Sequence, residues 1–398
     1  MGQLVCNQDK VNELNIEELI KVCPFGAIEY TDGKIEVNAG CKMCKLCVKK
    51  GPVGVMEFIE TETKKVNKDL WKGISVYVDH VGGSIHPVTM ELIGKARDLA
   101  AVVHFPVYCV FIGYHIKEKA EELLQYGVDE IFVYDYEELK DFRIEPYAAA
   151  LEDFINKVKP SSLLIGATTL GRSLAPRVAA RFRTGLTADC TILDMKENTD
   201  LVQIRPAFGG NIMAQIICSN TRPQLATVRY KVMNAPEKQF NSKGLITVCE
   251  IAKTKLKSNI EVLKVVKKKT EENISDAEVI IAVGRAFKSE KDMTMIEDLA
   301  ELLHAQIAGT RPLVEAGLIH AKKQIGLSGR TVKPKLIITL GISGAVQFVA
   351  GMNNAEHIFA INQDERAPIF NVAHYGIVGD IYEIVPKLIN DIKSSVIM

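Results

Sequence analysis

The sequence predicts an α/β chain: a short cysteine-bearing front segment followed by two regions built on parallel sheets. Three observations lead there. Four cysteines fall within residues 23–47 of a 398-residue chain. From residue 71 to about 250, short β-branched and aromatic runs alternate with segments of helical period, the pattern of strands joined through helices. After a charged stretch, 252-AKTKLKSNIEVLKVVKKKTEENISD-276, the alternation restarts at 278-EVIIAVG-284.

The length suggests two or three domains of ordinary size. Lys+Arg and Asp+Glu are equal at 49 each, so no basic excess supplies the phosphate-neutralising term behind nucleic-acid or anionic-membrane binding. The start, MGQLVCNQDKVNELN, lacks a basic region followed by an apolar one, and no secretory signal is read there. The most apolar later stretch, 335-KLIITLGISGAVQFVAGM-352, is interrupted by Gly, Ser and Gln and reads as a strand turning into a helix rather than a membrane span. A cytoplasmic protein with no nucleic-acid or membrane partner is expected. In that compartment the scattered Cys6, Cys109, Cys190, Cys218 and Cys249 read as buried free thiols.

Taken in order, residues 1–65 hold the cysteine group and end in the polar run 60-ETETKKVNKD-69, which reads as a linker. Residues 66–270 form the second domain. ISVYVDHV at 74, PVYCVFIGY at 106, EIFVYDY at 130 and SSLLIGA at 161 are its strands, with helices over 88–100 and 146–158 between them. TILDM, LVQIRPAF, IMAQIIC and ATVR follow as strand after strand, which predicts an antiparallel extension. Residues 271–398 form the third domain, with strands at 278, 335 and 357 and a helix over 290–305.

The run Cys41-x-x-Cys44-x-x-Cys47 matches the start of the bacterial ferredoxin motif, yet Gly51 stands where the fourth cysteine, before Pro52, would be. Another Cys-Pro pair is Cys23-Pro24. In two-cluster ferredoxins the fourth cysteine of each copy ligates the other cluster. By that rule the first copy has lost its ligands at Glu13, Ile16 and Leu19, and the second has lost its own at Gly51. Those four positions are one cluster's complete set. Cys23, Cys41, Cys44 and Cys47 are the other's, so one 4Fe-4S cluster is expected, with Ile28, Val37 and Val53 keeping it dry. A four-cysteine zinc site is the rival that the ligand count permits.

In the third domain, strand 335-KLIITLG-341 runs into Gly341-Ile342-Ser343-Gly344-Ala345 and a helical run, VQFVAGM. Small residues at such a turn let a phosphate approach backbone N–H groups, although many α/β proteins use one for packing alone. The segments 284-GRAFKS-289, 309-GTRP-312, 324-QIGLSGRTVKP-334, 359-FAINQDERAPIF-370 and 374-HYGIVGD-380 resemble, in order and spacing, the FAD domain of electron-transfer flavoprotein α subunits. The second domain agrees, because 166-GATTLGRSLAPRVAARFRTGLTADCTIL-193 and 205-RPAFGGNIMA-214 resemble that family's first domain. The front segment resembles the extended α subunits of electron-bifurcating or confurcating complexes in anaerobic bacteria. The fold so implied is a ferredoxin-like iron-sulfur domain followed by two Rossmann-like α/β domains, the last binding FAD.

The resemblance also implies roles. Arg311 would lie over the flavin ring, where a cation favours added negative charge, and Ser328 would hydrogen-bond flavin N5. Gln324, Ile325, Gly326 and Leu327 precede it among the cofactor-binding residues, and Gly341, Ile342 and Gly344 of the turn follow it. Ser343 and Gln347 match phosphate and ribityl contacts, Asn362 and Asp380 adenosine and ribose or pyrophosphate contacts, and Arg285 the phosphate side. Phe348 departs from the histidine of many relatives. Arg172, Arg177, Asp189 and the Gly209-Gly210 pair stand out in the second domain, which the family uses to meet its β subunit. Trp71 is read as a packing residue. Implied partners are that β subunit, carrying a second FAD that takes hydride from NADH, together with ferredoxin and a flavin dehydrogenase of lactate or acyl-CoA type, such as a caffeyl-CoA reductase. The chain would then be an electron-transfer subunit of an oxidoreductase complex. A non-bifurcating carrier with a vestigial iron-sulfur domain, or a nucleotide-binding scaffold with zinc, are the competing expectations.

Overall fold

The computed structural model describes residues 2–31, 33–38, 40–60, 66–207, 212–239, 243–266, 273–288 and 290–396. They divide into two compact units, Met1–Val66 and Asn67–Met398. Most of the expected linker, residues 61–65, lies outside the described residues, as do the Gly209-Gly210 pair and Ser289.

The first unit pairs β1 (Gly2–Cys6) with β4 (Met56–Glu60) antiparallel, and β2 (Ile28–Thr31) with β3 (Lys34–Val37) as a hairpin. Two helices complete it, α1 (Glu13–Val22) and α2 (Leu46–Lys50). Helix α1 starts in a capping box between Asn12 and Asn15, which satisfies otherwise orphaned backbone donors. The core is small: Leu19, Ile28, Ile35, Cys47, Val55 and Met56.

In the second unit a seven-stranded sheet uses β5 (Ile74–Tyr77), β8 (Val107–Gly113), β9 (Glu130–Asp135), β10 (Ser162–Gly166), β11 (Leu186–Cys190), β15 (Gln224–Val228) and β16 (Leu245–Val248). The order is β11-β15-β10-β5-β8-β9-β16, and every pairing is parallel. Helices α3 (Val88–Val103), α4 (Lys117–Leu124), α5 (Ile144–Val158) and α6 (Thr169–Phe182) make the crossovers, and β6 (His80–Val81) and β7 (Ser84–Ile85) form a small hairpin after β5. The strands are apolar on both faces because helices cover both. One core contains Val76, Leu92, Phe111 and Ile131, the other Tyr77, Tyr134, Phe154 and Leu163. Trp71 packs against the second.

The antiparallel extension exists as β12 (Ile192–Met195), β13 (Leu201–Ala207) and β14 (Ile212–Ile217). ATVR does not belong to it. That run lies in β15, which returns to the main sheet between β10 and β11, parallel to both. Its residues are wholly buried, which only a central strand allows.

The remaining strands form a second parallel sheet: β17 (Val279–Val283), β18 (Gln306–Gly309), β19 (Leu336–Leu340), β20 (His357–Asn362) and β21 (Tyr375–Val378), in the order β18-β17-β19-β20-β21. Helices α7 (Glu290–Leu302), α8 (Arg311–Glu315), α9 (Val346–Val349) and α10 (Ile381–Val396) accompany it. The helix expected over VQFVAGM is a single turn. A Cβ on Gly351 would come within 2.6 Å of the Gly326 backbone nitrogen, so the chain closes against the 324–331 loop instead of continuing as a helix. Among the described residues no helix is long and apolar enough to cross a membrane.

One buried carboxyl ties α3 to the chain after β15. Glu91 is 7% exposed and accepts the Lys231 backbone N–H at 3.0 Å. Burial pushes its carboxyl up to about 7, against the pull of that N–H and of Lys231 and Lys333. The folded state thus keeps a proton that the unfolded chain releases near 4.5, and stability contributed here falls as pH rises from about 4.5 to about 7. Glu91→Gln should flatten this slope, by an amount on the order of 3 kcal/mol between about pH 5 and about pH 8. Denaturant titrations at the two pH values check it, and parallel pH profiles of variant and wild type would contradict it.

Candidate functional site

In the C-terminal sheet the chain runs from β17 outward to β18, then crosses back to place β19 on the other side of β17. The connections leave the carboxyl ends of β17 and β19 in opposite directions and open a crevice between them, the usual ligand position in a doubly wound sheet. A cleft of about 670 Å³ lies there, within the range of about 300–1,000 Å³ typical of ligand sites. Its floor is held by close backbone approach. A Cβ on Gly284 would lie 2.2 Å from Gly341 O, and one on Gly341, whose φ is +61°, would lie 2.3 Å from the Ala286 Cβ. Gly344, φ +84°, would similarly strike the Ile369 backbone nitrogen at 2.2 Å. Only glycine accommodates such positions without displacement.

Twelve of the fourteen residues expected to bind cofactor line this one cleft. Arg285 follows β17 by two residues, and Arg311 opens α8 just after β18. Gln324, Ile325, Gly326, Leu327 and Ser328 form one wall, Gly341, Ile342, Ser343 and Gln347 the turn, and Asn362 the end of β20. Asn362 donates to Ile342 O at 2.7 Å and accepts the Asp364 N–H at 3.0 Å, which fixes the turn against the strand. Gln324 Nε2 donates to Ser328 Oγ at 2.8 Å, and Leu327 N donates to Gln347 O at 2.9 Å. Gly344 supports the turn from behind rather than lining the cleft. Asp380 is not a lining residue either: its Oδ1 accepts the Tyr382 N–H and caps α10.

Arg311 lines the cleft, its Nε donating to Glu315 Oε1 at 2.8 Å in an exposed pair. The sequence reading did not single out Thr310. Its Oγ1 is buried, its residue lines the cleft, and the hydroxyl has no hydrogen-bond partner among the described residues. A buried unpaired hydroxyl is costly, so this one fits a ligand that supplies the partner. Phe348 is buried beneath the turn at 5% exposure and lines the cleft with its apolar face. α9 is only one turn long, and Ser343 lines the cleft just before it.

In the first unit, Cys23, Cys41, Cys44 and Cys47 line a single pocket together with Leu4, Phe25, Ile28 and Val37. Met43 and Lys45 have φ of 53° and 60°; these left-handed residues alternate with the cysteines and coil the segment around the pocket. The Ala27 and Met43 N–H groups donate to the sulfurs of Cys23 and Cys41 at 3.3 and 3.4 Å. Val53, expected to shield the site, is 98% exposed, because it sits on the turn that Val55 N closes onto Pro52 O. Among the described residues no group of three or more His, Cys, Asp and Glu side chains is arranged to hold one metal ion. Leu19 and Gly51, two of the positions read as lost ligands, are neighbours: Leu19 is fully buried, and a Cβ on Gly51 would lie 3.2 Å from its Cδ2. The Cys47 backbone oxygen is closer still, 2.4 Å from such a Cβ, so backbone and the Leu19 side chain together occupy that place.

Residues 74–254 match the electron transfer flavoprotein domain and residues 273–353 the electron transfer flavoprotein FAD-binding domain. The chain belongs to the electron transfer flavoprotein α-subunit family. Among its relatives is the subunit LctC of a lactate dehydrogenase (NAD(+),ferredoxin) from Acetobacterium woodii, 62% identical over 97% of this chain and 92% of that protein. The electron transfer flavoprotein subunit alpha of Clostridium acetobutylicum is 41% identical over 83% of this chain and 99% of its own length. The acryloyl-CoA reductase electron transfer subunit beta of Anaerotignum propionicum is 37% identical over 82% of this chain and 96% of its own. Family membership makes the chain an electron-transfer subunit with an FAD-binding domain, and the cleft, its glycine floor and the orphaned Thr310 hydroxyl fit that cofactor.

Gly344→Ala should preserve both sheets yet displace the turn. We expect about tenfold weaker FAD retention, equivalent to about 1.4 kcal/mol, from the left-handed strain and the clash together. Equilibrium dialysis against free FAD measures it, and unchanged retention would remove the turn from the site.

Proposed function

We propose that this chain carries FAD in the C-terminal cleft and one 4Fe-4S cluster in the cysteine pocket. It would pass electrons among ferredoxin, the flavin of a β subunit that exchanges hydride with NAD(H), and a flavin dehydrogenase of lactate type. The observation that carries the reading is the single pocket lined by all four motif cysteines, on a chain that also holds the flavin cleft. Two further points support it. The Acetobacterium relative, named for NAD(+), ferredoxin and lactate, matches 97% of this chain, whereas the Clostridium α subunit matches nearly its own full length and only 83% of this one. The packing of Leu19 against Gly51 fits a chain that keeps one cluster site and has closed the other.

When bound, FAD takes or gives electrons singly or in pairs, and an iron-sulfur cluster takes or gives them singly. The chain's own residues define the surroundings. Ile28, Val37 and Phe25 line the pocket beside the cysteines, and the Ala27 and Met43 N–H groups donate to the sulfurs of Cys23 and Cys41. In the cleft, Arg311 offers positive charge and Ser328 a hydroxyl oriented by Gln324.

The test uses the purified complex with its β subunit and dehydrogenase. Lactate-dependent NAD(+) reduction should require reduced ferredoxin, and Cys44→Ala should abolish that dependence and the turnover it drives while FAD stays bound. NAD(+) reduction by wild type that proceeds at the same rate without ferredoxin would contradict the proposal. Gly51→Cys should leave the iron content unchanged, because Glu13, Ile16 and Leu19 provide no companion ligands; doubled iron would contradict the account of the closed site.

A further inference from the structure

Arg172 and Asp189, prominent in the sequence but given no role by the flavin reading, belong to a chain of contacts that ends at the flavin cleft. Arg172 Nε and Nη2 grip the two Asp189 carboxylate oxygens at 3.0 and 3.1 Å. Asp189 Oδ2 is also 3.5 Å from Arg229 Nη2, and that same nitrogen donates to Leu327 O at 3.1 Å. Leu327 lines the cleft immediately before Ser328, and its own N–H is fixed by Gln347 O. Arg229 therefore pins the cleft wall at Leu327.

The arrangement is an expensive one. Two arginines share one carboxylate, which leaves a net positive charge. The Arg229 side chain is only 16% exposed, and its Nε is buried without a hydrogen-bond partner among the described residues. Burial pulls the guanidinium below its ordinary value, and Asp189 opposes that pull. Asp189 itself is a non-glycine residue at φ 59°, placed at a register shift in β11, with its N–H donating to Thr227 Oγ1 at 2.9 Å. Backbone strain and a partly compensated buried cation cost free energy that packing alone would avoid.

We propose that Arg229, seated on Asp189, is a positioning residue of the flavin site: it holds the Leu327–Ser328 wall and biases the cleft toward bound negative charge. The proposal rests on FAD occupying the cleft. One-electron reduction adds one negative charge to the flavin, with no bond to the protein made or broken, so a fixed cation behind the wall favours it. Arg172 is 53% exposed, and water screens its share.

The experiment is a spectroelectrochemical titration of the FAD-loaded complex with its β subunit, using dithionite as reductant. Arg229→Gln should make uptake of the first electron about tenfold less favourable, a fall of about 59 mV. Asp189→Asn, which removes the opposing charge, should shift the same couple upward. Arg229→Lys should return the potential toward that of wild type. Opposite shifts in the Gln and Asn variants support the proposal, since a merely structural contact would move both the same way. Shifts of one sign in both, or no shift in either with FAD bound, would overturn it. Should Arg229→Gln fail to fold, Asp189→Asn and Arg229→Lys still decide: an upward shift in the first with near-native potential in the second supports the proposal, and any other result overturns it. Wild-type protein that holds no FAD would instead sink the flavin reading itself, and this inference with it.

Discussion

In a parallel sheet every strand ends at the same edge, and where the strand order reverses the chain cannot cover that edge. The flavin cleft depends on this constraint. β17 and β19 lie side by side, yet their following segments leave in opposite directions, so Val283 and Leu340 deliver Gly284 and Gly341 to an open crevice. The near-contact of these glycines brings the two strand ends close enough for one ligand to span them. Asn362 is added from the neighbouring strand by register alone, and the 324–331 loop closes the wall.

The same topology recurs in the larger sheet, where β5 and β10 flank the reversal. There the crevice is lined by Asp79, Thr168, Arg172, Arg229 and Tyr230. Protein side chains engage one another across it: Thr168 donates to Asp79, and Arg172 and Arg229 share Asp189. Tyr230 OH reaches Asp276 Oδ1 and Lys333 Nζ reaches Asn234 Oδ1, so the segment after β15 also holds the two sheets together. One fold thus presents a ligand cleft at one reversal and a polar side-chain network at the other.

Much of this was legible in the sequence because it is local. Strands such as Val107–Gly113 and Leu336–Leu340 are apolar runs of strand length, and the cysteine spacing and the Gly341–Gly344 turn are short motifs. What escaped depends on distant partners. β15 carries no mark of being inserted between β10 and β11. β18 and β21 are four residues each, and β21 is exposed throughout, so neither shows a period. Thr310 is informative only because nothing described bonds its hydroxyl, and Arg229 because Leu327 lies 98 residues away. Val53 was misplaced for the opposite reason: an apolar residue beside a motif looks buried until the turn carrying it is seen.

We propose that the four cysteines lining one pocket of the first unit and the flavin cleft of the second make one chain a carrier of two redox groups. Metal, acid-labile sulfide and flavin analysis of the anaerobically purified full chain tests it most directly. The account predicts about four irons and about four sulfides per chain, no stoichiometric zinc, and one flavin. Zinc in place of iron, about eight irons, or a chain without flavin would contradict it.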